Sequence, residues 1–279
     1  MSDFLEPARH REFFISDGRA LYSSMHRGAS PGAPVIVYCH GFAQEHVFDW
    51  RAEILGADIL ARRGFATFSY HARAHGDSAG NFSDLTFEGL VDDALAAASH
   101  ATAATGASRI VWVGIRFGAL IAAAAMRRRP DSAALALWEP VQGAREYFRA
   151  LMRRVLFFEV SRGHRPAMTT EQMIEQLGCG NPVPLVGFDL FPKFYASAVE
   201  ADLRRALEGW SGPTMVAQIQ QRTALSQAHR TLQAALEQQG ATVTTVVVDE
   251  EPSWTNGFES CWTLENLSHQ MADWLDGLG

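Results

Sequence analysis

The spacing of apolar residues changes period several times along the chain, and each change predicts an element. Glu12–Ser16 and Ala20–His26 alternate on either side of Asp17-Gly18, a strong hairpin signal. Pro34–Cys39 (PVIVYC) is a continuous β-branched and apolar run, as a strand buried on both faces requires. Helical spacing follows from about Asp49 to Arg63 and stops at Gly64; Phe65–Tyr70 is the next strand. Thr86 can cap a helix running to about Thr105, with Glu88 and Asp92 favourable near its start. Arg109–Val113 reads as a strand, Phe117–Arg129 as an Ala-rich helix and Ala134–Trp138 as a strand.

The alternation then breaks. From Gly143 to about Gly212 the pattern is mostly amphipathic helix, interrupted at Pro182, Pro184 and Pro192. Strand character returns at Thr214–Ile219 and Thr242–Val248, with a helix over Gln227–Gln239 between them and a last helix over Leu264–Leu278. Repeated strand–helix units imply an α/β fold, a mostly parallel central sheet with flanking helices and right-handed crossovers. Residues 1–142 and 212–279 form the expected core, and 143–211 a helical lid inserted after the sixth strand.

With 279 residues, 47% of them hydrophobic, the chain can bury one large core. No apolar run is long enough for a membrane span, and the N-terminus lacks a signal-peptide core. Cys39, Cys179 and Cys261 are scattered, which predicts reduced thiols and a cytoplasmic setting. A formal charge of −7 argues against nucleic acid as a partner, and Arg127–Arg129 and Arg153-Arg154 read as solvated helix ends.

The segment Arg109–Ala125, RIVWVGIRFGALIAAAA, runs strand, tight turn, helix. Gly114-Ile115-Arg116-Phe117-Gly118 therefore has the context of a G-x-S-x-G nucleophile elbow, with arginine where serine would stand. Arginine stays protonated and cannot attack a carbonyl. A literal G-x-S-x-G occurs at Gly76-Asp77-Ser78-Ala79-Gly80, but no strand runs directly into it and a loop follows it, so Ser78 reads as a turn serine. The other positions at which such enzymes carry an acid and a histidine are also bare. Gln220–Leu225 after Thr214–Ile219 has no carboxylate, and His269, the one histidine after Thr242–Val248, lies within the terminal helix.

Four segments carry a family resemblance: His40-Gly41-Phe42, Gly114–Ala119, Leu137-Trp138-Glu139-Pro140-Val141 with Gly143, and Val186-Gly187-Phe188-Asp189-Leu190. In these the chain resembles the exosortase A-associated hydrolases of the second type, within the α/β-hydrolase superfamily. That family also carries arginine at the elbow and tends to sit beside acyl-activating and carrier-protein genes. The resemblance implies an α/β-hydrolase fold and an acyl or carrier-linked small-molecule substrate, not a particular reaction.

The chemistry left in the sequence is limited. Gly41 and Phe42 follow the strand Pro34–Cys39, and in this fold the N–H groups of Phe42 and Phe117 would form an oxyanion hole. Arg116, at a helix N-terminus, can clamp a carboxylate or phosphate, or pair internally with Glu139 at the end of the neighbouring strand. The internal pair is the expected role, and the two are compatible. His40, His71 and His75 lie at the ends of adjacent strands. Each can be a general base or hold a turn; three histidines without a carboxylate or cysteine at ligand spacing argue against zinc, and no cofactor is expected. Trp254 and lid aromatics such as Tyr147, Phe148 and Phe158 suggest an apolar pocket.

The expectation is an atypical enzyme acting on an acyl, ester or thioester compound without a Ser-His-Asp triad, by elimination, cyclisation, transfer or water-mediated cleavage. The alternative is a non-catalytic protein on the same fold that binds a small ligand or a protein partner. A homodimer is left open.

Overall fold

The computed structural model describes residues 9–219, 224–250 and 263–278. Strands β1 (Arg9–Ser16) and β2 (Arg19–His26) pair antiparallel around Asp17 and Gly18, with φ of 47° and 72°. Both turn residues are left-handed, as a two-residue type I′ hairpin requires. The parallel part follows: β3 (Val35–Cys39), helix α1 (Gln44–Arg62), β4 (Thr67–Tyr70), α2 (Phe87–Thr105), β5 (Ile110–Ile115), α3 (Gly118–Met126) and β6 (Ser132–Trp138). Thr86 caps α2 by accepting from the Gly89 N–H, and Gly106 closes it in the left-handed conformation.

Between β6 and the next core strand lies the insertion. It comprises α4 (Ala144–Ser161), α5 (Thr170–Gly178), the two-residue strands β7 (Val183–Pro184) and β8 (Asp189–Leu190), α6 (Pro192–Ala198) and α7 (Leu203–Ala206). A capping box of Thr169 and Gln172 starts α5, and Pro192 opens α6 at the position where its missing N–H costs nothing. The core resumes with β9 (Thr214–Ile219), α8 (Gln227–Gln238), β10 (Val243–Val248) and the C-terminal helix Glu265–Asp276.

The main sheet has the order β1-β2-β4-β3-β5-β6-β9-β10, parallel from β4 onward. This is the mostly parallel α/β arrangement that the sequence predicts. Alternate side chains feed two cores. Val35, Val37 and Trp112 face α2, α3 and the insertion; Ile36, Tyr38 and Trp138 face α1 and the C-terminal helix. No described helix is long and apolar enough to cross a membrane.

One boundary differs from the sequence reading for a physical reason. The first crossover helix starts at Gln44, not near Asp49, and its first turns bury polar groups: Glu45, His46, Asp49 and Glu53. Polar residues on an inward face erase the apolar period by which helices are found.

The strand order brings three chain reversals to one end of the sheet: the turn after β3, the turn between β5 and α3, and the end of β6. At the second, Gly118 packs directly on the first. A Cβ there would lie 1.9 Å from the Cys39 carbonyl oxygen, a backbone atom that cannot rotate away. At Gly143, by contrast, the nearest atom to an added Cβ is 3.9 Å away. Gly118→Ala should therefore cost about 3 kcal/mol or more, whereas Gly143→Ala should stay within about 1 kcal/mol. Urea unfolding of the two variants checks the contrast.

Candidate functional site

Arg116 sits in the turn between β5 and α3 with φ of 53°. That left-handed conformation is costly for a side chain with a Cβ, and it persists because neighbours fix it. The Arg116 N–H donates to the Trp138 carbonyl at 3.0 Å, and its carbonyl accepts from Ala119 and Val141. Gly114 allows the helix to fold back, since a Cβ there would meet the Ala119 Cα at 2.4 Å. Ala43, at the end of the turn after β3, and Glu139, just beyond β6, also hold positive φ, 52° and 43°. Three strained non-glycine residues thus surround one spot.

The guanidinium is compensated, but not by the carboxylate expected. Its Nε and Nη2 both donate to Glu45 Oε1 at 3.2 Å, while Nη1 donates to the backbone oxygen of Glu139 at 3.3 Å. Glu45 Oε2 accepts from the Tyr147 hydroxyl at 2.9 Å. One carboxylate in the first turn of α1 therefore ties the elbow to the inserted helix α4. Burial opposes the charge on Arg116, but Glu45, reinforced by Tyr147 and Glu139, keeps its pKa above the ordinary arginine value. Burial and the adjacent Glu45 push the Tyr147 hydroxyl well above its ordinary value, so it stays a donor.

The expected Arg116–Glu139 ion pair is thus corrected. The carboxylate of Glu139 turns to the sheet end, where Oε2 accepts from the Ile219 N–H at 2.6 Å and lies 3.9 Å from His229 Nε2. The positive φ at Glu139 presents its carbonyl to Arg116 while its side chain goes to β9; its charge acts on Arg116 through space.

Glu45 and His229 were not singled out from the sequence. His229, in the first turn of α8, is 4% exposed, and its Nδ1 meets the Ser226 hydroxyl at 2.8 Å. Burial lowers its pKa; Glu139 opposes this and Arg116 adds to it. For Glu45 a signal existed: Glu45, Asp49 and Glu53 recur every four residues on one helix face, and all three are buried. Gly41 is needed for their approach, because a Cβ there would lie 2.8 Å from the Glu45 Cβ and 2.9 Å from Asp49 Oδ2.

Of the two roles open to them, base or turn holder, His40 and His75 take the second. His40 engages the Gly41 carbonyl through Nδ1 at 2.7 Å and accepts from the Ala72 N–H at Nε2 at 3.0 Å. His75 does the same with the Arg73 carbonyl at 3.0 Å and the Ala43 N–H at 3.4 Å. With both nitrogens engaged by backbone, neither ring is placed to take a proton from a substrate. His71 accepts from the Asp77 N–H, and its backbone oxygen takes the Ser78 hydroxyl. Ser78 also accepts from the Tyr22 N–H at 2.9 Å, so it is the turn serine the sequence implies. His46, its ring centroid 3.9 Å from that of His40 and tilted against it, completes a buried imidazole cluster. Among the described residues no group of three histidine, cysteine, aspartate or glutamate side chains is arranged to hold a metal.

Phe42 and Phe117 come together at the elbow, with ring centroids 5.7 Å apart. Both are buried, and neither backbone N–H donates a hydrogen bond to any described group. Orphan buried N–H groups are rare in folded proteins. A small space lined by Phe42, Glu45, Leu151 and Arg154 adjoins this point. It shares Gln44, Arg154, Leu185 and Val186 with a cavity of about 1030 Å³ inside the insertion. Trp254 lies outside the described residues, as do Gln220–Thr223.

The fold and the elbow place the protein among the α/β hydrolases. A family model described as serine aminopeptidase, S33, matches residues 30–172, and the chain belongs to that family. No curated protein matches the sequence. Among solved structures it is similar to Est1E from Butyrivibrio proteoclasticus with ferulic acid bound, at a TM-score of 0.67 and 17% identity over 96% of this chain and 98% of that one. It is also similar to an esterase from Pyrococcus furiosus, at a TM-score of 0.66 and 12% identity, covering 98% and 91% of the two chains. An α/β hydrolase from Vibrio vulnificus gives 0.64 and 16%, with 97% and 81% covered. Identities this low establish a shared fold.

The histidine cluster generates a pH prediction. Burial lowers His40 and His46 well below the ordinary range and sets His71 and His75 at about 4. The unfolded chain takes up these protons near pH 6.5 and the folded chain does not. The stability these neutral rings support is therefore complete above about pH 6.5 and falls as pH drops toward 4, by up to about 1.4 kcal/mol per pH unit per ring. Urea midpoints between pH 7.5 and 5 should fall steeply, and His71→Asn should make the fall shallower. A flat profile contradicts this account.

Proposed function

We propose that this chain is an atypical α/β-hydrolase-fold enzyme that acts on an acyl, ester or thioester small molecule without a serine nucleophile. The observation that carries this reading is that Phe42 and Phe117, both buried residues at the elbow, have backbone N–H groups that donate to no described group. Unsatisfied donors cost stability, and a fold that keeps two of them beside its most strained turn has a use for them as an oxyanion hole. Arg116, its charge offset by Glu45, adds fixed positive potential at the place where a carbonyl oxygen would gain negative charge.

Proton transfer falls to His229 rather than to His40 or His75. Its Nδ1 is held by the Ser226 hydroxyl, which leaves Nε2, without a hydrogen-bond partner and 3.9 Å from Glu139 Oε2, as the nitrogen able to take a proton that the nearby carboxylate would stabilise. Burial and Arg116 pull the other way, leaving an imidazole that is neutral at rest and able to gain a proton. The chemistry available is activation of water or of a substrate's own nucleophile, or abstraction of a proton beside the carbonyl. The insertion acts as a lid in this reading. The esterase neighbours support acyl chemistry by fold alone.

The test combines labelling with turnover. A fluorophosphonate probe should modify no serine, Ser78 and Ser226 included. Across a panel of acyl esters and thioesters, a turned-over substrate should lose about 10²-fold or more in kcat with Arg116→Gln or His229→Gln. Stoichiometric serine labelling would refute the mechanism. Binding of acyl compounds without turnover of any would favour the non-catalytic alternative.

A further inference from the structure

The cavity of about 1030 Å³ within the insertion has a lining that the reading above does not use. Its walls are largely apolar, with Leu156, Phe157, Phe158, Met168, Met173 and Leu185 among them. Three arginines also line it, Arg154, Arg162 and Arg165, against one acid, Glu159. Arg162 and Arg165 lie toward solvent. Arg154 lies at the inner end, where the cavity meets the space beside Phe42 and Glu45.

Arg154 is the distinctive member. Its Nη2 is buried and has no hydrogen-bond partner, although its guanidinium lies 5.8 Å from the Phe158 ring centroid. Glu45, whose charge favours the Arg154 cation, already receives Arg116 and Tyr147. Burial lowers the Arg154 pKa, Glu45 opposes this, and Arg116 lowers it further. The side chain is half-buried, but a buried Nη2 without a partner is costly to keep in a folded protein, and an anion delivered by a ligand would satisfy it. The planar fork of arginine matches carboxylate or phosphate oxygens in pairs.

We infer that this cavity is a binding site for an amphipathic organic anion, whose carboxylate or phosphate head pairs with Arg154 and whose extended apolar chain lies along the wall from Leu156 to Met173. The site rests on the proposed function only in that it opens toward the elbow. Binding there requires no turnover, so the two ideas fail separately.

The experiment is calorimetric titration of the wild-type chain, below aggregation limits, with dodecanoate, dodecyl phosphate, dodecanol and inorganic phosphate. At least one of the two chain-bearing anions should bind, and whichever binds more tightly identifies the head group. Dodecanol and inorganic phosphate should each bind at least about tenfold more weakly than that anion. Arg154→Gln should weaken the anion by about tenfold or more while leaving dodecanol unchanged. Met168→Trp, which adds bulk to the apolar wall without altering charge, should weaken anion and alcohol together. Absence of binding by both anions, equal binding of anion and alcohol, or unaltered anion affinity in a folded Arg154→Gln or Met168→Trp variant would overturn the inference.

Discussion

A guanidinium at the end of a buried strand needs a counter-charge within contact distance, and the rest of the site follows from where that charge comes from. Glu45 supplies it from the first turn of α1, 71 residues before Arg116 in the chain. Its second oxygen takes the Tyr147 hydroxyl, so one carboxylate fixes the elbow, the turn after β3 and the inserted helix α4 relative to one another. The pair is not sealed: the Arg116 side chain is 18% exposed and that of Glu45 is 4%. Residual access to water moderates the desolvation penalty that makes fully buried ion pairs poor stabilisers.

Backbone strain marks the same place. Ala43, Arg116 and Glu139 adopt positive φ at the ends of three neighbouring strands, at a cost of order 1–3 kcal/mol each. Glycines make the strain sterically possible, because Gly41, Gly114 and Gly118 each let another segment approach closer than any Cβ would permit. The result is a tight strand-to-helix turn built by its glycines rather than by the side chain at its centre. Arg116 at that centre places a fixed positive charge just ahead of α3.

The sheet was legible because its signals are local. The Asp17-Gly18 turn, the continuous apolar runs of β3 and β5 and the Thr86 cap each specify structure within a few residues. The elbow was legible too, since Gly114 and Gly118 on either side of Arg116 encode the tight turn. What the sequence hid is set by contacts between distant segments. Glu139 was the natural candidate partner because it ends the next strand, yet the backbone reverses there, so that its side chain takes the Ile219 N–H while its carbonyl takes the Arg116 guanidinium. His40 and His75 stand at strand ends, as catalytic bases often do, but sequence does not reveal that backbone groups occupy both of their nitrogens. Nothing local marks His229, one polar residue among several on α8; its burial near Glu139 is a tertiary fact.

The central claim is that Glu45, not the carboxylate of Glu139, holds the elbow arginine. A double-mutant cycle by denaturant unfolding tests it most directly, using Glu45→Gln, Glu139→Gln and Arg116→Met singly and in pairs. The account predicts a coupling of about 2 kcal/mol or more between Arg116 and Glu45, and a clearly smaller one between Arg116 and Glu139. A coupling near zero for Arg116 with Glu45, or a larger one with Glu139, would contradict it.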